Sequence, residues 1–130
     1  MEKITLVLGV SLKPERYSNK AIHALVNDNQ DVVAFGLRVG NIGDVEVHDK
    51  LPRKISIDTV TLYLNPGRQK EYYNYLVDLK PRRVIFNPGT ENFELISILE
   101  KEGLPPSRGN HQQHQNQALS FLRDSLNTAE

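Results

Sequence analysis

Cysteine and tryptophan are missing from the 130 residues, and methionine occurs once. Without cysteine there is no disulfide scaffold, no thiolate metal site and no cysteine nucleophile. The lack also leans toward a reducing compartment. Neither sign of charge is in surplus. Sixteen Lys+Arg stand against 16 Asp+Glu, for a formal net charge of +0. General nucleic-acid binding draws on a basic excess that releases counterions, so that partner is disfavoured, while a local basic pocket stays open. No stretch approaches the ~18–20 apolar residues of a membrane span. The run Ile4-Thr5-Leu6-Val7-Leu8 is too short for a signal-peptide core, and Glu2 before it is ill suited to one. These absences together point to a cytoplasmic protein with neither a nucleic acid nor a membrane as partner.

What is present fits one domain, since the length is near the single-domain mode. Ile4 to Val10 is a β-rich apolar run of the kind buried on both faces in a parallel sheet. Ser18 is a good N-cap, and Ala21, Ile22, Leu25 and Val26 then recur at helical spacing. Asp31-Val32-Val33-Ala34-Phe35 is the next strand, completing a strand–helix–strand unit. Gly40 and Gly43 punctuate an irregular segment with Val45-Glu46-Val47 as a short strand. Residues 57–64 form a strand of high β propensity. A helix bearing Tyr72, Tyr73, Leu76, Val77 and Leu79 follows, ending at Lys80-Pro81. Arg83-Val84-Ile85-Phe86 is another buried strand, and Phe93, Leu95, Ile96 and Leu99 mark a last helix closed by Gly103.

Residues 1–103 therefore form the folded domain. From 104 to 117 the chain reads as a polar linker, entered through Pro105-Pro106, and 118–127 as a short helix. His111 and His114 stand three apart in that tract, but two histidines without a third ligand describe a polar tail better than a metal site. His23 reads as a surface or partly buried histidine rather than a base. Tyr72, Tyr73 and Tyr75 lack the basic interleaving of a nucleic-acid platform.

Three small-residue turns follow predicted strands. Asn65-Pro66-Gly67 and Asn87-Pro88-Gly89 echo each other, each before a helix. Asn at the cap and Pro in the first turn make efficient strand-to-helix connections, which explains them structurally. They also suit one crevice, because open α/β sheets bind ligands beyond the carboxyl ends of their strands. Gly9-Val10-Ser11 lies at a third such end. With Arg16 and Ser18 it offers hydroxyls, a guanidinium and a helix start, which an anionic phosphate requires. The turn reads Gly9-x-Ser11 and lacks the dinucleotide fingerprint G-x-G-x-x-G. The second strand ends in Phe35-Gly36-Leu37-Arg38 instead of the acid that holds a ribose, so Arg38 suits an extra ribose phosphate.

Residues 9–18, Gly-Val-Ser-Leu-Lys-Pro-Glu-Arg-Tyr-Ser, closely resemble the opening motif of small stand-alone CoA-binding proteins. These are related to the CoA-binding domain of succinyl-CoA synthetase. Residues 58–63 with Asn65-Pro66, and residues 83–92, resemble two further blocks of that family, and the likeness spans about residues 4–103. It implies an α/β, Rossmann-like, three-layer domain with a mostly parallel sheet. It implies binding of coenzyme A or an acyl-CoA, with no catalytic residues. By that resemblance Gly9, Val10, Ser11, Arg16, Tyr17 and Ser18 form the phosphate-binding turn. Arg38 lies near the adenosine phosphate, and Asn65, Pro66, Asn87, Pro88 and Gly89 line the crevice. The departure is at the end, where the family continues into another strand and this chain has Pro105-Pro106 and polar residues. Loss of that strand would leave a sheet edge or a hydrophobic surface uncovered, for the 118–127 helix either to cover or to use in self-association as a homodimer. The rival functions are an NADP-dependent oxidoreductase domain and an interaction module that no longer binds nucleotide.

Overall fold

The computed structural model describes residues 3–53, 55–104 and 107–108. The expectations for 109–130, including His111, His114 and the helix over 118–127, lie outside the described residues, as does part of the linker beginning at 104. Seven strands form one sheet. They are β1 (Ile4–Val10), β2 (Asp31–Gly36), β3 (Gly40–Ile42), β4 (Val45–His48), β5 (Thr59–Leu62), β6 (Arg83–Phe86) and β7 (Ser107–Arg108). Their order across the sheet is β3-β4-β2-β1-β5-β6-β7, and every pairing is parallel except β3 with β4. Helices α1 (Tyr17–Asn27), α2 (Pro66–Gln69), α3 (Tyr73–Leu79) and α4 (Phe93–Lys101) alternate with them. A 3₁₀ turn over Lys70–Tyr72 joins α2 to α3, so the one helix expected there is segmented.

Alternation along the strands sorts the core into two layers. Leu6, Leu8, Phe35, Val60, Leu62, Val84 and Phe86 pack with Leu76 of α3 and Leu95 and Leu99 of α4. Val7, Ala34, Val47 and Ile85 face the other way and pack with Ala21, Ile22 and Leu25 of α1. The domain is thus the three-layer, Rossmann-like α/β fold that the sequence leads one to expect. Phe93 departs from its periodicity: it is the first residue of α4 and is 79% exposed, leaving the inward face to Leu95, Ile96 and Leu99.

Two local expectations are corrected. Ser18 does not cap α1. The helix begins two residues earlier, at Tyr17 behind Arg16, which makes no side-chain cap bond. Ser18 is fully buried, and its Oγ accepts the Ser11 N–H at 3.0 Å. Satisfying an amide of the β1–α1 loop outweighs satisfying one at a helix end that water still reaches. Secondly, a strand does follow Gly103. Ser107–Arg108 pairs in parallel with Ile85 and Phe86, although neither residue type suggests it. The open edge of β6 supplies unpaired backbone groups that any extended segment can satisfy.

At the amino ends of the strands Asp58 ties β5 to β6. It accepts from Arg82 Nε at 2.8 Å and Nη2 at 3.0 Å, and from Thr59 Oγ1 at 2.7 Å. The Arg82 hydrogen bonds hold the Asp58 carboxyl below its usual 3.8, against partial desolvation that pushes it up. A depressed folded-state pKa gives stability that is present above the unfolded value and lost as pH falls through the folded one. Asp58→Asn should therefore flatten the acid limb of a stability profile below about pH 4. Urea unfolding at successive pH values checks this, and an unchanged slope would show the pair contributes nothing.

Candidate functional site

The strand order reverses between β1 and β5: from β1 the chain proceeds outward to β2 and β4, then returns to β5 on the other side. Such a switch point leaves a crevice at the carboxyl ends, because the adjoining loops diverge to opposite faces. Here the crevice holds about 620 Å³. That is within the ~300–1,000 Å³ common for ligand sites.

Two glycines shape its floor. The β1–β2 ladder skips Gly9 between Leu8 and Val10, and Gly9 has φ +105°. This bulge turns Val10 to the α1 layer, out of step with Leu6 and Leu8. A Cβ at Gly9 would also come within 2.9 Å of Leu64. Gly36 pairs with Val10 across the ladder, and a Cβ there would overlap the Val10 carbonyl oxygen. Only glycine lets the two strand ends approach so closely.

The β1–α1 loop is tied to itself. Ser11 N–H donates to Ser18 Oγ, Lys13 N–H to Ser11 Oγ at 3.1 Å, and Arg16 N–H to the Lys13 carbonyl at 3.1 Å. Buried Asn19 donates to the Ser11 carbonyl at 3.0 Å. Three amides are thus engaged inside the loop. Ser11, Leu12, Lys13, Pro14 and Arg16 of the loop line the crevice, and Lys13 and Arg16 bring its charge.

Of the residues singled out in the sequence, the structure brings Gly9, Val10, Ser11, Arg16 and Arg38 together around the crevice. Tyr17 and Ser18 stand behind the loop and do not line it. Tyr17 packs into the α1 layer, under Lys20 Nζ at 5.4 Å from its ring. Asn65 and Pro66 are not in the lining either. Asn65 caps α2 by accepting the Arg68 N–H at 3.0 Å, with Pro66 first in the helix. Asn87, Pro88 and Gly89 follow β6, one strand farther from the switch point, and also lie outside the lining. Buried Asn87 donates to Thr61 Oγ1 at 2.7 Å and to the Leu62 carbonyl at 2.9 Å. Asn65 thus bonds its own helix start and Asn87 bonds β5, and a buried network lies beside both turns. Gln69 donates to the carbonyls of Leu64 and Thr90, both at 2.8 Å, and accepts from Asn92 at 2.9 Å. Asn92 also donates to Tyr73 Oη, which donates to Glu94.

Sequence reasoning missed the apolar floor of Phe35, Tyr63, Leu64 and Tyr72, and missed the cations Lys13 and Arg68. Phe35 and Tyr72 meet edge to face at 5.6 Å. Arg68 is carried by the four-residue α2, in its last turn. Lys13, Arg16, Arg38 and Arg68 thus surround one crevice whose described lining has no carboxylate. The ion pairs among the described residues, Arg82 with Asp58 and His48 with Glu46, leave all four uncompensated. Gathered like charges raise one another's energy, and a bound anion relieves that cost. No group of three or more metal-ligating side chains occurs among the described residues, and no described helix is long and apolar enough to cross a membrane.

No curated protein matches the chain. Among solved structures, an uncharacterized protein known from its crystal structure is 36% identical, with a TM-score of 0.80 over 95% of this chain and 97% of that one. A conserved hypothetical protein from Pyrococcus furiosus is 25% identical, with a TM-score of 0.69 over 84% of this chain and 94% of that one. A protein from Thermus thermophilus shares the fold at 19% identity, with a TM-score of 0.75 over 82% of each chain. The family model described as CoA binding domain matches residues 3–109, and it reaches past α4 to include β7. With the switch-point crevice and its cations, that match over most of the chain means that it belongs to the CoA-binding domain family.

Proposed function

We propose that this protein binds coenzyme A or an acyl-CoA without transforming it. The observation that carries the reading is the crevice with four uncompensated cations from three separate segments, in a chain of formal net charge +0. Lys13 and Arg16 meet the diphosphate from the β1–α1 loop. Arg38, beyond β2, takes the adenosine phosphate. Phe35 and the rim residue Leu37, which is 69% exposed, offer apolar contact to the adenosine. Recognition is by charged side chains more than by loop amides, because the amides of Ser11, Lys13 and Arg16 are already bonded within the loop.

Isothermal titration with CoA and with NADP tests this. CoA should bind, with an affinity that falls as salt is raised, and NADP should bind at least about tenfold more weakly. Equal or tighter NADP binding would favour the oxidoreductase reading. A folded protein that takes up neither ligand would favour the interaction module.

A further inference from the structure

Arg68 has no place in the phosphate-binding turn and lies on the opposite flank of the switch point. It sits on α2, after β5, whereas Arg38 follows β2 and Lys13 and Arg16 follow β1. Since β1 separates β2 from β5, the segments bearing Arg38 and Arg68 leave the sheet two strand spacings apart, about 10 Å. One phosphate group cannot engage both flanks and the central loop with good geometry.

The position of Arg68 is also held firmly. Its neighbour Gln69 is 1% exposed and bonded to Leu64, Thr90 and Asn92. Its own N–H is fixed by Asn65 Oδ1. Tyr72, one helical turn on, is part of the same wall, with its ring against Phe35. The guanidinium is thus borne on a backbone that needs no reordering, while its side chain stays exposed and without an ion-pair partner among the described residues.

We propose that Arg68 is the specificity-determining residue for the second phosphate of a nucleoside diphosphate, the one farther from the nucleoside. The proposal rests on the reading of the crevice as a CoA site. With the ribose phosphate on the β2 flank at Arg38 and the first phosphate at the β1 loop, the chain of phosphates runs toward β5, where Arg68 stands. The site then favours an adenosine 3′-phosphate whose 5′ end carries a diphosphate over one whose 5′ end carries a single phosphate.

Two probes separate these groups. CoA has the second 5′-phosphate, and adenosine 3′,5′-bisphosphate lacks it. By titration calorimetry, Arg68→Ala should weaken CoA about tenfold, the scale of one lost charge-assisted contact. It should leave adenosine 3′,5′-bisphosphate within about twofold. Arg68→Lys, which keeps a charge but loses the planar fork, should recover part of the CoA affinity. Arg38→Ala should weaken both probes alike. If Arg68→Ala weakens both probes equally, or neither, the assignment is overturned while CoA binding itself stands. If the wild-type protein binds neither probe, the underlying reading falls and the assignment with it. Because Arg68 is exposed, its variants should retain the wild-type melting temperature.

Discussion

Replacing Arg16 and Arg38 together by alanine should weaken CoA binding by about a hundredfold or more, with a melting temperature within a degree or two of wild type. Each guanidinium offers charge-assisted bonds to a phosphate, worth roughly 1.5–3 kcal/mol apiece when water is excluded. Both side chains are exposed and neither pairs with a described carboxylate, so their loss removes little from the free protein. Removing two of four like charges from one crevice relieves repulsion there, which would offset any packing lost from their stems. Calorimetric titration with CoA, beside a thermal melt of the free protein, reads the two effects separately. Unchanged affinity would remove both residues from the site. Parallel loss of affinity and stability would make them structural.

Gln69→Leu should produce the opposite pattern: a large loss of stability, about 3–5 kcal/mol, from a change of similar volume. The Gln69 amide satisfies two backbone carbonyls and accepts from Asn92. Leucine satisfies none, leaving the Leu64 and Thr90 carbonyls and one Asn92 donor bond without that partner in a place water scarcely reaches. Each orphaned group costs roughly 1–3 kcal/mol, and the whole domain is stable by only about 5–15 kcal/mol. Urea unfolding should show a lower midpoint with the slope retained. A midpoint close to that of wild type would mean that the network adds nothing to folding.

Gln69 also marks a limit of sequence reading. Its neighbours Asn65-Pro66-Gly67 and Asn87-Pro88-Gly89 stand out as motifs, and proximity to strand ends suggests a ligand. The crevice lining takes Leu64 and Arg68 on either side of the first triplet and nothing from the second, because β6 is one strand farther from β1 than β5 is. The segments that follow the two strands are joined by Gln69, which bonds Leu64, Thr90 and Asn92 and stands out by no local pattern. Strand order is a long-range property, and no spacing along the chain encodes it. The same holds for the apolar floor. Phe35, Leu64 and Tyr72 pack as core residues, with one side left open to the crevice.

Ser18 shows the limit at shorter range. A serine before a helical run is a sound cap by propensity, yet its hydroxyl turns to the loop. Propensity counts helix-end amides, whereas burial decides which amide is costlier to leave unpaired. The glycines were more legible. Gly9 and Gly36 end strands in the sequence, and the structure uses both where a side chain would collide.

The sequence by itself determined the strand–helix alternation, the buried parallel sheet and the family likeness, because hydrophobic period and turn chemistry are local and leave their record in neighbouring residues. From the lack of a net charge it also permitted a local basic pocket, and it pointed to Arg16 and Arg38. The tertiary structure alone decided that Lys13 and Arg68 join them, and that the second triplet does not line the crevice. It alone added β7, by leaving an open strand edge for a polar segment to complete. Each of these depends on which strand lies beside which, an outcome of packing two faces of one sheet that residue order along the chain does not express.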